Sequence, residues 1–223
     1  RAPSCARAFP GWPQQLRSLI EAWNARPVAL GPDVTLTGDG LAGLIQSLTL
    51  SASSAASIPL AVARAARGDY APLARQLPSS GADSPLMFWS IWCNERWVGL
   101  DARGPWGTYL DGYAAAQLER YRSVCAYVPD HAEPASNLAR VRSSVPVLAL
   151  VGGADPQDPA ANVAGLGAAM PKARVVVLPE HGHGVGQYGC LPNLVSLFVA
   201  RGSAARLDVR CVRATEPPPF ALR

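Results

Sequence analysis

The chain has 223 residues, of which 49% are apolar and 16% charged, and this composition indicates a folded protein with a sizeable core. Its net charge of +4 rests on scattered arginines, which argues against a nucleic-acid binder, because such proteins cluster basic residues on one face. No apolar run approaches the roughly 20 residues of a membrane-spanning helix, so no membrane span is expected.

Residues 1–140 form the first predicted domain, which is mainly helical. Leu16, Leu19, Ile20 and Trp23 recur at helical spacing and indicate an amphipathic helix. Asp39 precedes the next apolar series and is predicted to cap a second helix. An aromatic-rich stretch completes this domain and contains Phe88, Trp89, Trp92, Trp97 and Trp106.

Residues 141–223 form the second predicted domain, in which strands and helices alternate. The predicted elements are a strand Val145–Val151, a helix Pro159–Met170, a strand Ala173–Glu180 and a helix Leu191–Val199. This order is typical of βαβ units with a parallel sheet. Both strands are apolar at successive positions, which predicts strands covered on both faces. Since two strands do not make a stable open sheet, we expect further strands outside this chain.

An acid and a base follow the ends of the two predicted strands. Asp155 follows the first, His183 follows the second, and the carboxyl ends of parallel strands meet at one edge of a sheet. A carboxylate that orients a histidine, which then acts as general base, makes up two-thirds of a nucleophilic triad. Asp158 is the rival acid and His181 the rival base.

Each of these residues also has an ordinary interpretation. Asp155 stands before Pro156 and suits a turn or a helix cap, and His183 suits a loop histidine bonded to backbone. The catalytic interpretation rests on the pair, since both residues are predicted at strand ends.

The cysteines are widely spaced, without a C-x-x-C pair or grouped histidines, so neither zinc nor any other metal or cofactor is predicted. They suit either disulfides in an oxidising compartment or small buried hydrophobes in a cytosolic protein. Five cysteines allow fifteen ways to form two bridges, and spacing alone does not choose among them.

Several motifs together resemble the C-terminal region of tripeptidyl and prolyl aminopeptidases, the TAP-like proteins among the α/β-hydrolases. The region spans residues 145–220. Its motifs are a Gly-x-x-Asp-Pro-x-x-Pro turn from Gly152 to Pro159, a His-Gly at His183, a Gly-Cys at Cys190, a Leu-Asp-x-x-Cys ending at Cys211 and a Pro-Pro-Phe ending at Phe220.

This resemblance implies a fold, namely the C-terminal part of an α/β-hydrolase. The last two parallel strands and their helices, residues 141–223, would follow a mostly helical cap, residues 1–140. Asp155 would then be the triad acid and His183 the base. His181 would be structural and Asp158 a helix-start residue.

The resemblance also implies the disulfide pairing. Cys93 would pair with Cys125, Cys190 would pair with Cys211, and Cys5 would have a partner upstream. Disulfides of this kind imply a secreted or periplasmic protein.

Glu95, Trp92 and Trp97 are the candidate substrate-binding residues. They stand in a segment that resembles an apolar–Cys–x–Glu motif of the family's cap. An exopeptidase must hold its substrate's ammonium group, and a carboxylate inside an aromatic wall suits that task. Alternatively, Glu95 is an ordinary surface carboxylate and the tryptophans form a cap core.

The family's nucleophile, a serine in a G-x-S-x-G turn, has no counterpart here, since no serine of the chain stands in that frame. The chain also begins without an initiator Met or a signal segment. The expected function is the acid–base part of an aminopeptidase whose serine lies in a missing N-terminal half, and we expect this chain alone to be inactive. The alternatives are an esterase of small esters and a non-catalytic binding module.

Overall fold

The computed structural model describes residues 2–32, 34–77, 85–96, 107–129, 134, 139 and 141–223. It belongs to the α/β class: about half of it is helical, and two strands form a small parallel sheet. The α-helices are α1 Ala2–Ala8, α2 Trp12–Ala25, α3 Gly38–Leu48, α4 Ala52–Ala55, α5 Ile58–Ala65, α6 Ala71–Ala74, α7 Pro85–Ile91, α8 Asp111–Cys125, α9 Leu166–Ala169 and α10 Leu191–Arg201. The strands are β1 Val28–Ala29, β2 Thr35–Leu36, β3 Val147–Gly152 and β4 Ala173–Leu178. Short helices of other types are a π-helix Trp92–Arg96 and 3-10 turns at Ala160–Val163, Val185–Gln187 and Arg210–Ala214.

These elements form two compact units. The first contains Arg1–Pro10, Gln46–Leu60 and Arg140–Arg223, and the second contains Gly11–Ile45 and Ala61–Ala139. The first unit holds both strands of the parallel sheet. The assignment of residues 1–140 to a cap and 141–223 to a hydrolase segment stays a prediction.

The parallel sheet of the first unit pairs β3 with β4. The register runs from Val147 opposite Ala173 to Gly152 opposite Leu178, so both strands end at the same level. β4 turns Val176 and Leu178 into the core, where they meet the apolar face of α10 and the segment that follows it. The buried members of this core are Val176, Leu178, Val185, Leu191, Leu194, Ala204, Leu207 and Val212.

Arg174 ties the C-terminal segment to β4. Its Nη1 donates hydrogen bonds to the carbonyl oxygens of Leu207 at 2.7 Å and Ala204 at 3.1 Å. These carbonyls lie outside regular structure, and bonds from a charged donor satisfy them. The tail continues to Ala221, whose N–H donates to the carbonyl oxygen of Ala56 at 2.9 Å.

The prediction that both strands are covered on both faces is wrong for β4 within the described residues. Val176 and Leu178 are 5% and 0% exposed, whereas Val175 and Val177 are 37% and 40% exposed. Side chains of a strand alternate between its two faces, so one face of β4 is packed and the other is open. The apolar sequence of β4 predicts a second packed face, but no described residue buries Val175 and Val177.

The predicted helix Pro159–Met170 is also corrected. The structure has a 3-10 turn at Ala160–Val163 and only one turn of α-helix at Leu166–Ala169. Gly165 between them adopts a left-handed conformation, with φ of 80°, which interrupts a helix.

The second unit contains α2, an amphipathic helix that buries one face. Of the four residues at helical spacing, Leu16, Ile20 and Trp23 are buried, as that spacing predicts, whereas Leu19 is only partly buried. Asp39 is not the cap of α3, because Thr37 Oγ1 accepts the Gly40 N–H there at 3.1 Å. The Asp39 N–H donates instead to the side chain of α2 residue Asn24 at 2.9 Å.

Among the described helices, none is both long enough and apolar enough to cross a bilayer.

Candidate active site

The loops that follow β3 and β4 carry the predicted acid and base. β3 ends at Gly152 and β4 at Leu178, and these two residues are register partners. The parallel pairing therefore brings the Asp155 loop and the His183 loop to one edge of the sheet, where ligands bind in open α/β sheets.

Asp155 and His183 are joined directly by a hydrogen bond. The distance from Asp155 Oδ2 to His183 Nδ1 is 2.8 Å, although the residues lie 28 positions apart in the chain. The Asp155 side chain is only 5% exposed, whereas that of His183 is 41% exposed. A buried carboxylate thus holds one ring nitrogen of an accessible imidazole.

Backbone donors keep the Asp155 carboxylate ionised and fixed. Its Oδ1 accepts the N–H groups of Gln157 at 2.9 Å and Asp158 at 3.0 Å. Burial opposes the charged form and by itself raises the pKa of the carboxyl. The hydrogen bonds from the Asp158 N–H, the His183 ring and the Gln157 N–H outweigh burial and hold the pKa below its ordinary value.

The His183 loop is held by close backbone packing on both sides. The His183 N–H donates to the carbonyl oxygen of Leu50 at 2.6 Å. A Cβ at Gly182 would collide with the carbonyl oxygens of Thr49 and Leu50, and one at Gly152 would collide with that of Gly182. Only glycine fits at these two positions, so the loop can lie between the end of β3 and the Thr49–Leu50 turn.

Nε2 of His183 points away from the acid. The side-chain Nε2 of Gln157 lies 3.4 Å from it. A ring held through Nδ1 by a carboxylate carries its proton on Nδ1, which leaves the Nε2 lone pair free to accept one. The arrangement is chemically able to serve as a general base.

The rival base His181 and the rival acid Asp158 do not form the short acid–base contact that Asp155 and His183 form. His181 is 0% exposed, and its Nδ1 bonds the carbonyl oxygen of Pro179 at 2.8 Å. Its ring packs edge-on against Tyr188, with centroids 4.8 Å apart. Asp158 Oδ2 lies 3.7 Å from His183 Nδ1, farther than Asp155, and the Asp158 side chain is 59% exposed.

Of the candidate substrate-binding residues, Trp92 and Glu95 belong to the second unit. Glu95 is exposed on the single π-helical turn Trp92–Arg96. Trp92 stacks on Tyr121, with centroids 4.9 Å apart and planes at 10°. Trp97 lies outside the described residues. The role of all three in substrate binding stays a prediction.

Two disulfides link the cysteines. Cys93 is bonded to Cys125 and Cys190 to Cys211, the pairs that the resemblance implies. Cys5 is buried without a disulfide, and burial raises the pKa of its thiol. Two disulfides favour an extracellular or otherwise oxidising environment.

Two residues that contact His183, Leu50 and Gln157, were not predicted from the sequence. The Leu50 carbonyl carries no local signal, because any residue could supply it and only the fold brings it to His183. Gln157 stands inside the recognised turn, but nothing in the motif sets the direction of its side chain.

The described residues contain no group of three or more His, Cys, Asp or Glu side chains placed to hold a metal ion.

Comparison with known protein families finds a match over the C-terminal part of the chain. No curated protein and no solved structure matches the chain significantly. The matched family segment begins at α8 and includes Asp155, His183 and three of the four disulfide cysteines. It supports a hydrolase-type α/β fold for this part of the chain. Residues 111–211, a little under half of the chain, match the family model described as TAP-like protein, which confirms the resemblance for that part.

Proposed function

We propose that this chain supplies the general base and the orienting acid of a serine hydrolase, an aminopeptidase that releases N-terminal residues or short peptides. The observation that carries the proposal is the 2.8 Å contact between Asp155 Oδ2 and His183 Nδ1, with the carboxylate buried and the imidazole accessible. The nucleophilic serine is delivered by a segment outside residues 1–223.

The proposed reaction follows from this geometry. His183 Nε2 takes the proton of the serine hydroxyl as the serine oxygen attacks the carbonyl carbon of the substrate. Asp155 stabilises the imidazolium through its Nδ1–H, and His183 then gives the proton to the leaving amine. In the second half, His183 activates a water that hydrolyses the acyl intermediate.

Glu95 is the proposed partner of the substrate's free amine. Its carboxylate is exposed, and the Cys93–Cys125 bond links its turn to α8. Trp92 and Trp97 would contribute aromatic surface beside it, where a cation is attracted to ring faces. The substrate class is therefore peptides with an unblocked N-terminus.

The missing partner is an N-terminal half of the hydrolase fold. The exposed Val175 and Val177 favour this proposal, because they present an apolar face of β4 that a further layer of structure would cover. Two disulfides support secretion or a periplasmic location for the assembled protein.

A serine-directed fluorophosphonate probe tests the proposal on the native protein and on residues 1–223 alone. We expect the native protein to be labelled on a serine outside residues 1–223, and the isolated chain to remain unlabelled. His183→Ala in the native protein should abolish labelling, whereas His181→Gln serves as the control for a histidine that is not the base. Labelling that survives His183→Ala would overturn the proposal.

Substrates then separate the aminopeptidase from an esterase. The proposed enzyme cleaves a chromogenic amide with a free N-terminus faster than the same amide carrying an N-acyl block. Cleavage of small esters only, without amide cleavage, would assign the same acid–base pair to an esterase instead.

A further inference from the structure

Gln157 contacts Nε2 of His183, the ring nitrogen that the proposed reaction uses as the base. Its side chain leaves the turn two residues after Asp155, and its Nε2 lies 3.4 Å from His183 Nε2. The turn therefore reaches both ring nitrogens: its carboxylate meets Nδ1, and its amide meets Nε2.

The protonation state of the His183 ring determines whether Nε2 is the donor or the acceptor in its contact with Gln157. Asp155 Oδ2 accepts from Nδ1, so a neutral His183 presents a lone pair at Nε2. The Gln157 amide donates into that lone pair. A serine hydroxyl would make its hydrogen bond to the same lone pair, so the amide and the hydroxyl compete for one site.

We propose that Gln157 is a positioning residue that holds the place of the nucleophile's hydroxyl at His183 Nε2 until the nucleophile arrives. The proposal rests on the proposed function of His183 as general base. The amide contacts the imidazole at Nε2, while Asp155 holds it at Nδ1. Because a side-chain amide is exposed here and joined by a long contact, the serine can displace it at low cost.

The amide also fits both charge states of the ring. Rotation about the last side-chain bond exchanges the Gln157 NH₂ group for its carbonyl oxygen, which accepts from a protonated Nε2. A glutamate at this position lacks the donor and pairs only with the protonated ring. An alanine pairs with neither form.

Carbethoxylation by diethyl pyrocarbonate tests the proposal on the chain itself. The unprotonated Nε2 attacks a carbonyl carbon of the reagent and displaces ethyl carbonate, so the rate reports access to that lone pair. Gln157→Ala should speed modification of His183 roughly two- to fivefold, the factor that corresponds to loss of one weak hydrogen bond. Gln157→Glu should slow it, since a carboxylate there favours the unreactive protonated ring.

Gln187→Ala is the matched control, because Gln187 is an exposed glutamine of the same unit. Its rate at His183 should equal that of the wild type. Peptide fragmentation distinguishes His183 from the buried His181. Equal rates in wild type and Gln157→Ala would overturn the proposal, as would the same direction of change in Gln157→Ala and Gln157→Glu.

Failure of this inference and failure of the proposed function are distinguishable. If Gln157→Ala speeds modification but the native protein shows no His183-dependent labelling by the fluorophosphonate, the contact stands and the hydrolase proposal falls. If labelling depends on His183 while the modification rates are equal, only the role of Gln157 falls.

Discussion

The loops of Asp155 and His183, here called the acid–base loops, and the Trp92–Arg96 turn differ in how their candidate side chains are held. Asp155 is buried and receives two backbone donors, and the loop of His183 is fixed by a backbone hydrogen bond to Leu50. Glu95, in contrast, is exposed, and the neighbouring α7 exposes Leu86 at 80%. In the first region, hydrogen bonds hold specific atoms of the candidate side chains. In the second region, the candidate side chain Glu95 is exposed.

The contrast shows which side chains of a single chain support a functional argument. A buried carboxylate that is fully hydrogen-bonded and aimed at an accessible imidazole has few ordinary explanations. An exposed carboxylate beside tryptophans has many. Mutations should therefore affect stability strongly in the acid–base loops and weakly at Glu95.

The largest effect is expected for Gly182→Ala. The new Cβ would collide with the Thr49 and Leu50 carbonyls, and backbone atoms move less easily than a side chain. We expect a loss of about 4 kcal/mol in the free energy of unfolding measured in urea. Gly186→Ala is the control, since the nearest atom to its Cβ is Leu150 Cδ1 at 4.0 Å. Equal losses for the two variants would show that close packing does not fix the His183 loop.

Next in size is removal of the Cys190–Cys211 disulfide by serine at both positions. It closes a loop of 21 residues, and the chain-entropy relation gives a loss of about 3 kcal/mol. The Cys93–Cys125 disulfide, with a separation of 32, should cost slightly more when removed. Urea unfolding under non-reducing conditions measures both. A negligible loss for either pair would mean that the loop it closes is already constrained in the unfolded chain.

Asp155→Asn should lower the free energy of unfolding by about 2 kcal/mol at neutral pH. A neutral amide would replace a buried carboxylate that accepts hydrogen bonds from two backbone N–H groups and from Nδ1 of His183. Asp158→Asn is the matched control. Its carboxylate is mostly exposed, so its loss should stay within about 0.5 kcal/mol.

The pH dependence of the same variant follows from the lowered pKa of Asp155. A carboxyl whose pKa is lower in the folded than in the unfolded state stabilises the fold above its unfolded pKa, near 4. That contribution is lost as the pH falls through the lower folded value. The stability difference between wild type and Asp155→Asn should therefore shrink on acidification. A difference that stays constant down to the acid transition would contradict this account.

Glu95→Gln should have the smallest effect on stability, within about 0.5 kcal/mol, since the side chain is exposed. Its expected effect is on substrate choice in the native enzyme: kcat/KM falls for amides with a free amine and is unchanged for N-blocked ones. An equal fall for both substrates would remove Glu95 from amine recognition.

The sequence predicted both strands of the parallel sheet, because runs such as Val175–Leu178 are apolar, β-branched and bounded by turn residues. It missed the break at Gly165, where a left-handed residue splits an otherwise helical pattern. The sequence also could not show which face of β4 is open. An apolar residue looks the same in a sequence whether the residues that pack on it belong to the same chain or not.

For the site, the predicted strand ends left Asp155 and Asp158 as rival acids, and the family resemblance favoured Asp155; the structure adds the distances. Asp155 and Asp158 lie 2.8 Å and 3.7 Å from the same ring nitrogen. The Leu50 contact was beyond sequence reasoning, because it joins a backbone carbonyl to a residue 133 positions away through tertiary packing alone.

The tautomer of His183 is the most direct test of the central claim that Asp155 holds Nδ1 and leaves Nε2 to act as base. Two-bond proton–nitrogen NMR correlations on the neutral ring identify which nitrogen carries the proton. We expect a protonated Nδ1 in wild type and in Asp158→Asn, and loss of that preference in Asp155→Asn. A protonated Nε2 in the wild type would contradict it.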